Sequence, residues 1–269
     1  MPTKKLLLSA LVLASVLDAA STAAQAPVPG LTVEPCSVPN LDVPARCGTL
    51  EVWENRTTRS GRRIPIRFVV VPGTGRGPVR EATTFLDGGP GSPATGAAGW
   101  IAGMFAASRE GRDVLLVDQR GTGGSNPLHC ALFGPRQDAQ SFLGPFLPVD
   151  RVRACVPGLQ RKADLAQYTS DPAADDLDEV RAALGYEKLD LFGGSYGTPT
   201  ALVYMRRHPE RVRPAILLGV VPTDASLPLY LARDMDRALW GVVGECEAEP
   251  GCRAAFPRLR ADVARSLER

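Results

Sequence analysis

The stretch Leu189-Asp190-Leu191-Phe192-Gly193-Gly194-Ser195-Tyr196-Gly197 decides the fold. A short apolar strand runs into the pattern G-x-S-x-G, and Tyr196–Arg207 then continues with helical character. A chain that passes from strand to helix within a few residues strains the backbone at the serine, and only small neighbours admit the turn. The turn projects the Ser195 hydroxyl from the C-terminal edge of a sheet. The helix start behind it offers the Tyr196 N–H and the positive end of a dipole. A plain glycine turn capped by serine would share these letters but not the flanking strand and helix. Ser195 is therefore the candidate nucleophile, with Gly193 and Gly197 as the residues that make room for it.

Outward from this point, strand and helix alternate. Short apolar runs at Ala82–Leu86 and Asp113–Val117 read as strands of a sheet covered on both faces, and Ala215–Val221 as a last strand left as an uncovered apolar edge. Ala94–Ser108, with Trp100, Ile101, Met104 and Phe105, reads as a packed helix. Asp171-Pro172 reads as an N-cap followed by a helix-starting proline, with Ala173, Leu177, Val180 and Leu184 on one stripe and Gly185 as the stop. Two earlier strands are expected at Gly48–Trp53 and Ile64–Val71. Residues 131–170 show no period and are expected to be irregular. The alternation from 82 to 221 predicts an α/β protein with a doubly wound, mainly parallel sheet. Its core would cover residues 27–226, and the two amphipathic stretches of 227–269 would begin a helical cap.

Composition excludes other classes. Of 269 residues, 44% are hydrophobic and 22% charged, and the net charge is +2. That is globular, and it lacks the cationic face that a nucleic acid or polybasic membrane partner requires. Lys4 and Lys5, the apolar run Leu6–Leu17 and Ala24-Gln25-Ala26 form an export signal over residues 1–26, with no membrane association expected once it is removed. A secreted or periplasmic location follows. The six cysteines agree, pairing most simply as neighbours: Cys36 with Cys47, Cys130 with Cys155, Cys246 with Cys252. None forms C-x-x-C, and with two histidines no metal site or cofactor is expected.

Two further motifs sit at strand ends. Leu86–Pro93, LDGGPGSP, places bare glycine backbone where an acyl-transfer site needs a second N–H donor, from Gly88 or Gly89. Val117–Ser125, VDQRGTGGS, is glycine-rich but matches neither phosphate-binding pattern, so Asp118 and Arg120 are expected to support the site structurally. These two motifs, with FGGSYGT at Phe192–Thr198 and HPERV at His208–Val212, resemble the α/β-hydrolase serine peptidases that include prolyl and tripeptidyl aminopeptidases. The resemblance runs from about Cys36 to the end. It implies Ser195 as nucleophile, Gly89 (or Gly88) with Tyr196 as the oxyanion hole, and release of short peptides from free N-termini through an acyl-enzyme. Asp87 stands where proline iminopeptidases carry histidine, which favours the tripeptidyl branch.

One part of that chemistry is not found. A serine hydroxyl needs a base, and the hydrolase order along the chain is Ser, acid, His. His208 lies thirteen residues past Ser195, about 20 Å along the intervening helix. His129 precedes the elbow, in a loop. Family members carry the triad acid and histidine on strands after the cap, whereas this sequence stops at Arg269, inside it. The expectation is the N-terminal part of such an enzyme, C-terminal strands missing, inactive alone and open to a complementing C-terminal segment. The alternatives are a non-catalytic binding protein of the same fold and an ester hydrolase, since the same apparatus serves any acyl transfer.

Overall fold

The computed structural model describes residues 27–75, 79–135, 148–226 and 230–268, with 138, 140 and 143–145. The expected export signal at 1–26 lies outside these. One seven-stranded sheet organises the described residues, in the order β1-β2-β3-β5-β4-β6-β7. Its strands are β1 (Leu31–Cys36), β2 (Ala45–Trp53), β3 (Arg63–Val71), β4 (Glu81–Leu86), β5 (Asp113–Val117), β6 (Lys188–Gly194) and β7 (Val212–Leu218). β1, β2, β3 and β5 pair antiparallel, while β5, β4, β6 and β7 pair parallel. Five of the seven strands, all but β1 and β3, thus point one way.

The reason β5 reads as an unbroken apolar run is visible in its two faces. Leu115 and Val117 pack into one core with Ile64, Ile66, Phe68, Leu177, Val180 and Tyr204. Val114 and Leu116 pack into the other with Val69, Val71, Phe85 and Ile101. The first core is covered by helices α3 (Ser170–Ala183) and α4 (Gly197–Arg207). The second lies under a 3-10 turn at Ala94–Ala97 and α1 (Ala98–Met104). A strand covered on both faces has no polar side to alternate.

Four local expectations are corrected. The helix expected over 94–108 is split and ends at Met104, and Trp100 and Met104 are about half exposed, at 53% and 51%. The last strand starts at Val212 and ends at Leu218, because Gly219 turns out of it at φ +67°. Asp171 is not the N-cap. α3 begins at Ser170, and the Asp171 carboxylate reaches across to Arg206 at 2.9 Å. The region taken as irregular contains α2 (Val149–Lys162), which carries no fully buried side chain. The tail forms α5 (Leu231–Ala248), α6 (Pro250–Ala255) and α7 (Leu259–Leu267). Disulfides join Cys36 to Cys47 across β1 and β2, Cys130 to Cys155 on α2, and Cys246 on α5 to Cys252 on α6. No helix of the described residues is long and apolar enough to cross a membrane.

The sheet order fixes where chemistry can occur. From β4 the chain moves to β5 on one side and then crosses to β6 on the other. At such a reversal the loops leaving the strand ends part, and a crevice opens between them. Leu86 pairs with Gly193, so the loops after β4 and β6 leave the sheet side by side.

Candidate active site

Ser195 sits at φ +50°, a left-handed backbone that few residues other than glycine adopt. Its N–H donates to Leu218 O at 2.9 Å, and its carbonyl accepts from Thr198 N at 2.9 Å and Thr198 Oγ1 at 2.7 Å. Three bonds to β7 and the first turn of α4 thus hold the strained residue. The flanking glycines are steric requirements. A methyl group on Gly197 would lie 1.8 Å from Leu86 O, and one on Gly193 would lie 2.9 Å from Gly197 O. The side chain is exposed, and its hydroxyl has no hydrogen-bond partner among the described residues.

The loop after β4 passes directly over this hydroxyl. A methyl group on Gly88 would meet Ser195 Cβ at 3.0 Å and Oγ at 3.5 Å. The two candidate donors differ: Gly88 N–H donates to Asp87 Oδ1 at 2.7 Å, whereas Gly89, at φ +109°, has no such bond. Behind the loop, the Asp118 carboxylate accepts from Thr95 N (2.9 Å), Thr95 Oγ1 (3.0 Å) and Gly124 N (3.0 Å). It fixes the 3-10 turn that follows the glycine loop. Arg120 makes a buried bidentate pair with Asp176 at 2.7 and 2.7 Å and donates to Glu54 O and Gln167 O. Neither side chain lines the Ser195 crevice; each is held in its own hydrogen-bond frame.

The match to known proteins follows this geometry. Residues 85–244, more than half of the chain, match the model of the alpha/beta hydrolase fold. The chain belongs to the alpha/beta hydrolase family. It is 29% identical over 241 residues to the tripeptidyl aminopeptidase of Streptomyces lividans, covering 83% of this chain and 44% of that protein. It is 29% identical over 256 residues to the serine protease Hip1 of Mycobacterium bovis, covering 87% and 47%. A solved proline iminopeptidase-related protein of Thermus thermophilus is 24% identical with a TM-score of 0.35, covering 63% and 43%. The chain spans about half the length of the curated relatives it matches.

The crevice beside Ser195 measures about 520 Å³ and is lined by Phe85, Trp100 and Leu218 together with Asp87, Gly88 and Gly89. Sequence reasoning missed those apolar walls. The available signal was Trp100 itself, a large aromatic close behind the glycine loop. Neither histidine joins the crevice. His208 caps the far end of α4, where its Nε2 lies 3.0 Å from Asp175 Oδ1 and its ring lies 5.1 Å from that of Tyr204, tilted by 44°. His129 is exposed beside Cys130. Partial burial works against the charge on Asp175, but Arg207 and His208 outweigh it and hold its pKa below the usual carboxylate range. Asp178 is likewise lowered, burial being outweighed by Arg181 and Tyr204. The Tyr168 phenol behind Arg120 is pushed up to about 12 by burial.

Proposed function

We propose that this chain carries the nucleophile half of an exported serine aminopeptidase. Ser195 attacks the scissile carbonyl, and the N–H groups of Gly89 and Tyr196 receive the oxyanion. Collapse of the adduct breaks the C–N bond, the downstream chain leaves as a protonated amine, and water then cleaves the Ser195 ester, releasing a short peptide from a free N-terminus and restoring the hydroxyl. The single observation that carries this is the Ser195 backbone, held at φ +50° with the glycine loop over its hydroxyl. A turn strained in this way persists only where surrounding structure enforces it, and it exposes one hydroxyl to a crevice. Gly88 is left out as a donor because its N–H already serves Asp87.

The histidine and acid that would activate Ser195 come, in this proposal, from a segment outside these residues. Two observations support it. His208 is committed to Asp175, and β7 leaves Ile216 and Leu218 exposed along the sheet edge, a surface folded proteins normally cover. Helices α5 to α7 would begin the cap. Residues 1–26 would direct export, in keeping with three disulfides that belong in an oxidising compartment.

The test is chemical rescue. An alkyl fluorophosphonate should modify Ser195 slowly, and added imidazole should raise the rate by roughly tenfold or more, part of what a positioned base contributes. Ser195→Ala should remove the adduct. Absence of a Ser195 adduct at every imidazole concentration would overturn the nucleophile assignment and leave a binding protein of the same fold.

A further inference from the structure

Asp87 differs from the carboxylates buried deepest around the sheet. Asp113 pairs with Arg46 and Tyr186, Asp176 with Arg56 and Arg120, and Asp190 with Arg112 and Arg213. Asp118, which lacks a cation, accepts three hydrogen bonds. Asp87 has the N–H of its own neighbour, Gly88, and no cation among the described residues. Yet it lines the same crevice as Ser195, one residue before the glycine that lies over the hydroxyl. A negative charge is thereby placed beside the point where acyl transfer must develop another. Phe85, Trp100 and Leu218 line the same crevice, and two like charges placed within it repel.

We propose that the missing positive charge arrives with the substrate. Asp87 is a specificity-determining residue that selects acyl groups bearing an amine cation on the residue that supplies the scissile carbonyl. The cation neutralises Asp87 as the oxyanion forms, so the site disfavours uncharged acyl groups twice, in binding and in the transition state. Two sources carry this chemistry. One is the free α-ammonium of a single-residue acyl group; the other is a lysine-like side chain at the cleavage point of a longer peptide. This inference rests on Ser195 being the nucleophile.

Boronic acids test it without requiring a base, because they condense with a serine hydroxyl to give a tetrahedral adduct that boron-11 NMR detects. Three are compared on the full chain: a 1-aminoalkyl boronate with a free amine, its N-acetyl form, and an N-acetyl form with an aminobutyl side chain. At least one cationic compound should bind roughly tenfold tighter than the neutral one, and 1 M salt should shrink that preference. Asp87→Asn should bring the ratio to about one, with circular dichroism and a melting curve confirming its fold. Whichever cationic compound wins identifies the source. A Ser195 adduct with no charge preference, or a preference intact in Asp87→Asn or in 1 M salt, would overturn the role of Asp87 alone. No adduct with any of the three, or one surviving in Ser195→Ala, would remove the nucleophile assignment as well.

Discussion

The two ends of α4 hold complementary halves of one chemistry and keep them apart. At its start, Ser195 presents a strained, unpartnered hydroxyl to a crevice. At its end, His208 is hydrogen-bonded to Asp175, with Asp178 at 3.8 Å, an imidazole-carboxylate arrangement with no nucleophile beside it. Eleven residues of helix, about 16 Å at the usual rise, make the separation permanent. Residue types alone therefore do not define a catalytic set. The His208 cluster joins α3 to α4, whereas the Ser195 end gives up backbone comfort to expose one atom. One end is tied down by ion pairs, and the other leaves a single hydroxyl bare.

Substitutions can break this contrast, and the largest effect belongs at the elbow. Gly197→Ala puts a methyl group into Leu86 O and should cost about 3 kcal/mol or more, read as a large fall in Tm or loss of soluble protein. At the other end, His208→Ala should destabilise the chain by roughly 1–2 kcal/mol in urea unfolding, leaving the imidazole-assisted labelling of Ser195 unchanged. A base role for His208 would instead abolish labelling. Ser195→Gly should do the opposite: labelling vanishes, while stability rises by about 1 kcal/mol as the left-handed strain is relieved.

Acid should sharpen the contrast with the smallest effect. Asp175 and Asp178 have folded pKa values lowered from the ordinary carboxylate range. Their contribution is complete above the unfolded value of about 3.9 and is lost as pH falls through the lower folded values. Unfolding free energy should thus decline below about pH 4, and this decline should be weaker in Asp175→Asn.

Much of the site was legible because its constraints are local. Gly193, Ser195 and Gly197 must occur together wherever a strand turns this sharply into a helix, and the run Asp113–Val117 had to be apolar throughout once both faces were covered. Less legible were features set by distant partners. Asp171 before a proline has the letters of a cap, but Arg206, thirty-five residues away, takes its carboxylate. Helix α2 fully buries no residue: Val152, Cys155, Val156 and Leu159 form only a half-buried face, and Pro157 within it obscures the helical spacing. The commitment of Gly88 N–H to Asp87 depends on a side-chain rotamer that no spacing encodes.

That weakly buried helix has a consequence for how the molecule responds to reductant. α2 is held by the Cys130–Cys155 bridge, by Arg151 to Leu132 O at 3.0 Å, and by Arg62 to Arg161 O at 3.4 Å. With only a half-buried apolar face and two solvent-facing hydrogen bonds besides, this segment depends on its covalent bridge more than the sheet does. Mild reduction should expose residues 148–162 to protease and deuterium within a molecule whose sheet still melts cooperatively. The chain would then carry a fuse: one region whose persistence reports the redox state of its surroundings while the scaffold around it stays intact.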